Sequence, residues 1–298
     1  MKYIFAILLG FISLYSTSIM ALEAKWFGVT SVYITDGESS ILFDPIITKP
    51  TIGHWMFNLT FKSNRPLVDK MLAKLEIEKV DLIFISHQHF DHSIDAPYVA
   101  LKTGATVVAS PSQEIITRAV SSDISIKSLP YEKDIGDVIE IGKFKITPLR
   151  RNHSAIIHSL DFHFTPGPVK KDFNFKFYDY KLGENFAYFI EHPDGNIIFD
   201  QGGQYNPLND HYLGKVDYYF TGVANKKNLH ALTKNNIAKI NAKKTFPLHF
   251  DFFPLQSNFL ERLPLPKVGI DEISEELKRI GYDGFHIPKW GETLKLVK

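Results

Sequence analysis

The sequence predicts an α+β protein: two β-sheets packed together with helices outside. Three observations predict it. β-rich apolar runs fill both halves of the chain, helical patterns lie among them, and strong turn signals separate neighbouring runs. No repeat, low-complexity tract or Pro/Ser-rich linker divides residues 22–298, so they read as one domain. With 298 residues, 44% of them hydrophobic, the chain can bury a large core.

Lys25 to Thr35 and Ser40 to Phe43 are β-rich, joined by the turn signal Asp36-Gly37-Glu38; Asp44-Pro45 ends the second run. Pro66 to Leu75 reads as a helix with Pro66 at its first position. Leu82 to Ser86 is a continuous apolar run, as in a buried strand. Ser110 caps the next helix, Pro111 fits its first turn, and Gln113 completes a capping box. Val138 to Ile141 and Phe144 to Leu149 flank the hairpin signal Gly142-Lys143. Ala187 to Glu191 and Asn196 to Phe199 flank Pro193-Asp194-Gly195 in the same way. Later strands cover Val216 to Thr221 and Thr245 to Leu248, with a helix over Thr233 to Ile240 between them. Asp271 to Ile280 is the last helix, before a final strand pair ending at Val297.

Composition narrows the chemistry. There is no Cys, which excludes disulfides, thiolate catalysis and thiolate metal ligation. Any metal site must use His, Asp and Glu. A net charge of +1 gives no reason to expect nucleic acid as a partner. Lys2, the apolar run Ile4 to Leu14, and Ile19-Met20-Ala21 match a secretory signal peptide over residues 1–21, cleaved near Ala21. The competing reading is an uncleaved anchor, since Tyr3 to Leu22 nearly spans a bilayer. The expected location is therefore periplasmic or secreted, with no later membrane span.

The informative segment is Ser86-His87-Gln88-His89-Phe90-Asp91-His92. In a loop after a strand, His87 and His89 can face one metal, and Asp91 with His92 can reach a second beside it. Against a chance His-rich loop stand three further candidate ligands, each just past a predicted strand: His153, Asp200 and His249. Five His and two Asp suffice for two divalent ions, zinc first, with manganese or iron also accepted by such sites.

Ser86 to His92 resembles the signature of the metallo-β-lactamase superfamily, and the order His153, Asp200, His249 is similar too. The resemblance implies an αββα sandwich with a dinuclear site at one edge. It implies that His87, His89 and His153 hold the first metal, that Asp91, His92 and His249 hold the second, and that Asp200 bridges. The continuation Ser93-Ile94-Asp95, the run Ile41 to Pro45, and Pro247 to Phe250 look more like the lactonase and phospholipase D-like branch than like β-lactamases. His249-Phe250-Asp251 departs from the His-Trp-Gly often found in that branch.

The expected function is an exported dinuclear hydrolase, using a metal-bridging hydroxide on a phosphodiester, lactone or ester. Asp91 or Asp200 would also handle a proton, and the partner would be a small-molecule or lipid-like substrate. A β-lactam hydrolase and a metal-binding protein without turnover are the alternatives; a redox role would need iron and an electron-carrying partner.

Other residues carry two readings each. His230 is a candidate acid or oxyanion donor placed just before a helix, or else a plain surface residue. Phe162 to Tyr180 is either an aromatic flap gripping an acyl group or a hairpin burying its own face, given the spacing of Phe173, Phe175 and Phe177. Arg150 or Arg151 could hold a substrate phosphate or carboxylate; otherwise both are solvated charges.

Overall fold

The computed structural model describes residues 21–152, 168–202, 205–224, 228–251 and 269–297. The expected signal segment therefore lies almost wholly outside the described residues, as do His153 and the first part of the aromatic-rich stretch.

The first half supplies six strands of a seven-stranded sheet, β1 (Glu23–Trp26), β2 (Val32–Thr35), β3 (Ser40–Phe43), β4 (Leu82–Phe84), β5 (Thr106–Ala109) and β6 (Ile126–Ser128). The second half builds a six-stranded sheet from β7 (Ile139–Ile141), β8 (Phe144–Arg150), β9 (Phe186–Glu191), β10 (Ile197–Asp200), β11 (Tyr218–Gly222) and β12 (Lys244–Leu248). The last strand, β13 (Thr293–Lys295), crosses back and pairs antiparallel with β1. The expected final strand pair is thus one strand, whose partner is the beginning of the domain.

Helices cover both outer faces. The first sheet carries α1 (Ile52–Phe57), α2 (Arg65–Leu75), α3 (Phe90–Ser93), α4 (Ala96–Thr103) and α5 (Pro111–Val120) in its connections. After β11 come α6 (Leu229–Leu232), a π-helical turn at Thr233–Ile237, and α7 (Ala238–Ile240); α8 (Ile270–Arg279) follows β12.

Strand periodicity explains the layering. Ile41 and Phe43 of β3 point into the core between the sheets, with Phe144, Phe199 and Phe220 opposite. Leu42 points the other way, into a layer shared with Val68, Leu72 and Val99 of α2 and α4. The second sheet does the same, with Ile198 and Tyr219 packed on Leu232, Ile240 and Leu277. Every residue of β3, β4, β10 and β11 is therefore buried, so these strands read as continuous apolar runs rather than alternating ones.

Local expectations were corrected in places. The run Lys25 to Thr35 is two strands, because Gly28 (φ 120°) and Val29 (φ 47°) turn the chain between them. Pro66 is the second residue of α2, capped by Asn64. Ser110 accepts the Gln113 N–H at 3.3 Å, but the Gln113 amide is buried and donates to Thr117 instead of closing a box. Phe173, Phe175 and Phe177 form no strand. Phe175 has φ 63°, Phe177–Asp179 is a 3₁₀ turn, and only the isolated bridge Thr60–Lys176 pairs this segment.

Strands β3 to β6 run parallel, and so do β10 to β12. The carboxyl ends of parallel strands are where loops can present side chains over a sheet edge. Asp44 follows β3, His87 to His92 follow β4, Asp200 ends β10, and His249 follows β12.

Candidate metal centre

The segment after β4 is held on both sides before it reaches its functional residues. Ser86 O accepts Phe186 N–H at 2.8 Å, and Gln88 N–H donates to Leu182 O at 2.9 Å. Gly183 (φ 61°) is required beside it, because a Cβ there would fall 2.0 Å from Gln88 Oε1. His87 and His89 lie in the loop. His89 is the residue before α3, and Asp91 and His92 lie within that four-residue helix, not in the loop. Ser93 Oγ closes the turn by donating to the Gln88 and His89 carbonyls at 3.1 and 3.0 Å.

Five expected ligands meet here. His87 Nε2 and His89 Nδ1 approach to 2.9 Å, and the His87 and His92 rings lie 3.9 Å apart. Asp91 Oδ2 is 3.3 Å from His92 Nε2 and 3.2 Å from His249 Nε2. One ligand atom from each of Asp91, His92 and His249 lies within 4.8 Å of the other two, and all three residues are buried. Asp91 Oδ1 is buried with no hydrogen-bond partner among the described residues. A buried carboxylate oxygen left without a donor, facing two imidazoles, fits a divalent cation. The donor set of nitrogen and oxygen also suits such an ion.

Behind the ligands sits Asp44, which sequence reading used only as the end of a strand. Its Oδ2 accepts from His92 Nδ1 at 2.8 Å and from Ser86 Oγ at 2.6 Å, and its Oδ1 accepts from Ser86 N–H at 2.6 Å. Thr30 Oγ1 adds a contact to His92 Nδ1 at 2.8 Å. With Nδ1 so engaged, His92 presents Nε2 to Asp91, the orientation a carboxylate imposes on a ligating imidazole. Burial disfavours the His92 charge, but Asp91 and Asp44 outweigh it and push the imidazole up to about 10. Burial likewise raises Asp91, yet the charge of His92 and the hydrogen bonds of His249 and His92 hold it well below the carboxylate range.

The backbone is strained at two of these positions. Asp44 (φ 42°) and His249 (φ 59°) are left-handed, which costs a non-glycine residue about 1–2 kcal/mol each. Asp44 N–H on Phe84 O at 3.0 Å and His249 N–H on Val29 O at 2.8 Å hold them there. The second bond ties the two sheets together at the site.

Asp200 meets a different partner from the one expected. Arg151 Nε donates to its Oδ1 at 2.9 Å, Arg151 Nη2 lies 2.5 Å from its Oδ2, and Gly202 N–H also donates to Oδ1 at 2.9 Å. Both side chains are buried. Arg151 is therefore no solvated charge; the carboxylate expected to bridge accepts hydrogen bonds at Oδ1, while its Oδ2 faces the guanidinium as an ion pair and is buried without a hydrogen bond among the described residues. Arg150 instead lies over the Tyr131 ring at 4.4 Å and 3.7 Å from Asp134. His230 is exposed, inside the first turn of α6 rather than before it, where it faces Glu276 of α8. Among the described residues nothing joins it to the cluster. His153 lies outside the described residues.

Comparison with known proteins bears on the family and the fold. Residues 24–168 match the family described as the metallo-beta-lactamase superfamily. Over that segment the chain resembles the metallo-β-lactamase superfamily. A UPF0173 metal-dependent hydrolase of Rubrobacter xylanophilus is 25% identical over 257 residues, covering 82% of this chain and 94% of that one. Two solved structures share the fold. The metallo-beta-lactamase fold protein YhfI from Bacillus subtilis has a TM-score of 0.57 at 13% identity, over 92% of this chain and 99% of its own. An isothiocyanate hydrolase from Delia radicum gut bacteria has a TM-score of 0.57 at 15% identity, over 93% of this chain and 100% of its own. The superfamily's sandwich of two sheets under outer helices is the architecture described above.

Proposed function

We propose that this chain is an exported hydrolase of the metallo-β-lactamase superfamily, acting on a phosphodiester, lactone or ester with two divalent ions, zinc first. That it is a metal-dependent hydrolase follows from its resemblance to that superfamily and from its Rubrobacter relative. The observation that carries the finer reading is the meeting of two donor groups, His87 with His89 and Asp91 with His92 and His249, in direct contact at one end of the sandwich.

Divalent ions there would lower the pKa of water to the neutral range and polarise the substrate oxygen. The chain supplies the rest. Asp91, His92 and His249 would hold one ion and His87 with His89 the other, joined by His153 in the order the resemblance implies. Asp44 fixes the His92 ring by holding Nδ1. Asp91 Oδ1 is the oxygen placed to accept a proton or an ion. Asp200 would join only by giving up part of its hold on Arg151. Arg151, freed in that exchange, would be a cation for an anionic substrate group. Export rests on the n-region Lys2 and the apolar run Ile4 to Leu14.

The deciding measurement is elemental analysis of the purified protein beside His249→Ala and Asp200→Ala. About two ions per chain, falling in both variants, supports the dinuclear reading and directs screening to phosphodiesters, lactones and esters. One ion, lost in His249→Ala and kept in Asp200→Ala, reduces the centre to a single site. No ion after reconstitution overturns the proposal.

A further inference from the structure

Seven large hydrophobic side chains are exposed among the described residues, and three of them, Met56, Phe57 and Leu59, fall within four positions. They are 58%, 69% and 47% exposed. A cluster of this kind on an otherwise well-covered surface marks an interaction site.

The segment that carries them is held in place. Thr51 N–H donates to His54 Nδ1 at 3.0 Å at the start of α1, and Asn58 ends the helix in the left-handed conformation (φ 46°, ψ 48°). Asn58 Oδ1 then accepts Tyr178 N–H at 2.9 Å, Leu59 O accepts Phe177 N–H at 3.2 Å, and Phe61 N–H donates to Phe175 O at 2.6 Å. Beneath this seam Phe61, Phe90 and Phe177 pack on one another with ring centroids 4.7–5.7 Å apart. The aromatic layer is complete without the tip, which leaves Met56, Phe57 and Leu59 facing outward.

The two segments that form and brace the tip carry charge of one dominant sign. Residues 49–62 and 168–180 contain five lysines against two aspartates, Asp172 and Asp179. Lys49, Lys62, Lys170, Lys171 and Lys176 are all exposed. Lys62 lies 5.0 Å over the Phe175 ring, and Lys176 pairs with Thr60, so both flank the tip. Asp179 is partly occupied, accepting Lys176 N–H at 3.0 Å.

We propose that Met56, Phe57 and Leu59 insert into the surface of an anionic phospholipid bilayer, with the surrounding lysines on its headgroups. Large apolar side chains at a short helical tip, flanked by Lys62 and Lys176, match what an anionic interface recognises: apolar depth with cationic flanks. A protein partner of the same apolar chemistry would not require the lysines. Phe90 stands between His89 and Asp91 and packs in the layer under the tip, so docking sets one flank of the metal centre against the membrane. The inference does not depend on turnover at that centre.

The chain has no Cys, so Phe57→Cys gives a single attachment point for a polarity-sensitive fluorophore in the full chain. This local readout is unaffected by whatever the first residues do. Val138→Cys, labelled at another exposed apolar position, is the reference. The label at 57 should shift to the blue with phosphatidylglycerol-containing vesicles, little with pure phosphatidylcholine, and less at high salt; the label at 138 should not shift. Adding Lys62→Glu with Lys176→Glu should weaken vesicle affinity at least about tenfold while leaving metal content unchanged. No shift at 57, an equal shift at 138, or an affinity indifferent to the charge reversals overturns the proposal. So does a concentration-dependent shift without vesicles, which would make the tip a contact between copies of this chain.

Discussion

Two buried carboxylates at the same end of the sandwich meet two different cations, with different consequences. Asp44 holds a histidine, which can release a proton and act as a ligand through its far nitrogen. Asp200 holds an arginine, which stays charged and offers no lone pair. The first pair leaves a donor, His92 Nε2, aimed at Asp91 and His249. The second joins carboxylate and guanidinium by a hydrogen bond at Oδ1 and an ion pair at Oδ2. A buried acid near a metal centre is therefore defined less by its position on a strand than by what lies within 3 Å of it.

The largest effect should come from breaking the arginine pair. Arg151→Met leaves a buried, uncompensated carboxylate, and stability measured by urea unfolding should fall by about 3–5 kcal/mol. Adding Asp200→Asn should recover most of that loss; failure to recover would mean that Arg151 matters through packing. Asp44→Asn tests the other pair by function. It keeps the shape but loses the charge behind His92, and metal affinity in a chelator competition should fall about 10–100-fold. Unchanged affinity would make Asp44 a purely structural residue.

Gly202→Ala probes the arginine pair from the side. The added Cβ would lie 2.9 Å from Arg151 Nη2 and 3.2 Å from Asp200 Oδ1, so a loss of about 1–3 kcal/mol is expected. Gly104→Ala, with open space but φ 77°, isolates the backbone strain alone, about 1 kcal/mol.

The smallest effect lies outside both pairs, at Asp36 in the β2–β3 turn. Burial raises its carboxyl, but the N–H groups of Ser39 and Glu38, with His192 and Lys143, outweigh burial and lower it. A lowered folded-state pKa adds stability above the ordinary value of 3.8, and that stability is lost as pH falls through the folded value. Asp36→Asn should cost under about 1 kcal/mol at pH 7, because Lys143 is half exposed and screened. The cost should shrink toward zero as pH falls through the lowered folded-state value; a constant cost would assign the effect to hydrogen bonding alone.

Much of the fold was legible in local pattern. The strands β3, β4, β9, β10 and β12 and the helices α2, α5 and α8 sit within a few residues of their apolar runs and caps. Errors came where tertiary contacts overrode local signals. Gln113 is buried, so its amide turned to Thr117 rather than back to the cap. The spacing of Phe173, Phe175 and Phe177 suggested a strand, but those rings pack into a cluster with Phe61 and Tyr180, for which the backbone leaves extended geometry. Asp44 carried a faint signal, an acid placed directly after a buried strand, which a reading of turns took as Asp-Pro punctuation.

The sequence by itself determined the donor chemistry and its location. A chain without Cys that places His-x-His-x-Asp-His after an apolar strand has committed imidazole and carboxylate to one sheet edge. Spacing within six residues fixes which side chains can meet. Tertiary structure alone decided the longer pairings: His249 reaching Asp91 across 158 residues, Asp44 reaching His92 across 48, and Arg151 reaching Asp200 across 49. The first depends on how the strand ends meet when the two sheets close, and the other two on register within one sheet, β3 beside β4 and β8 beside β10 by way of β9. That register is set by the packing of Phe43, Phe199, Phe220 and their neighbours, a collective property no local window of sequence contains.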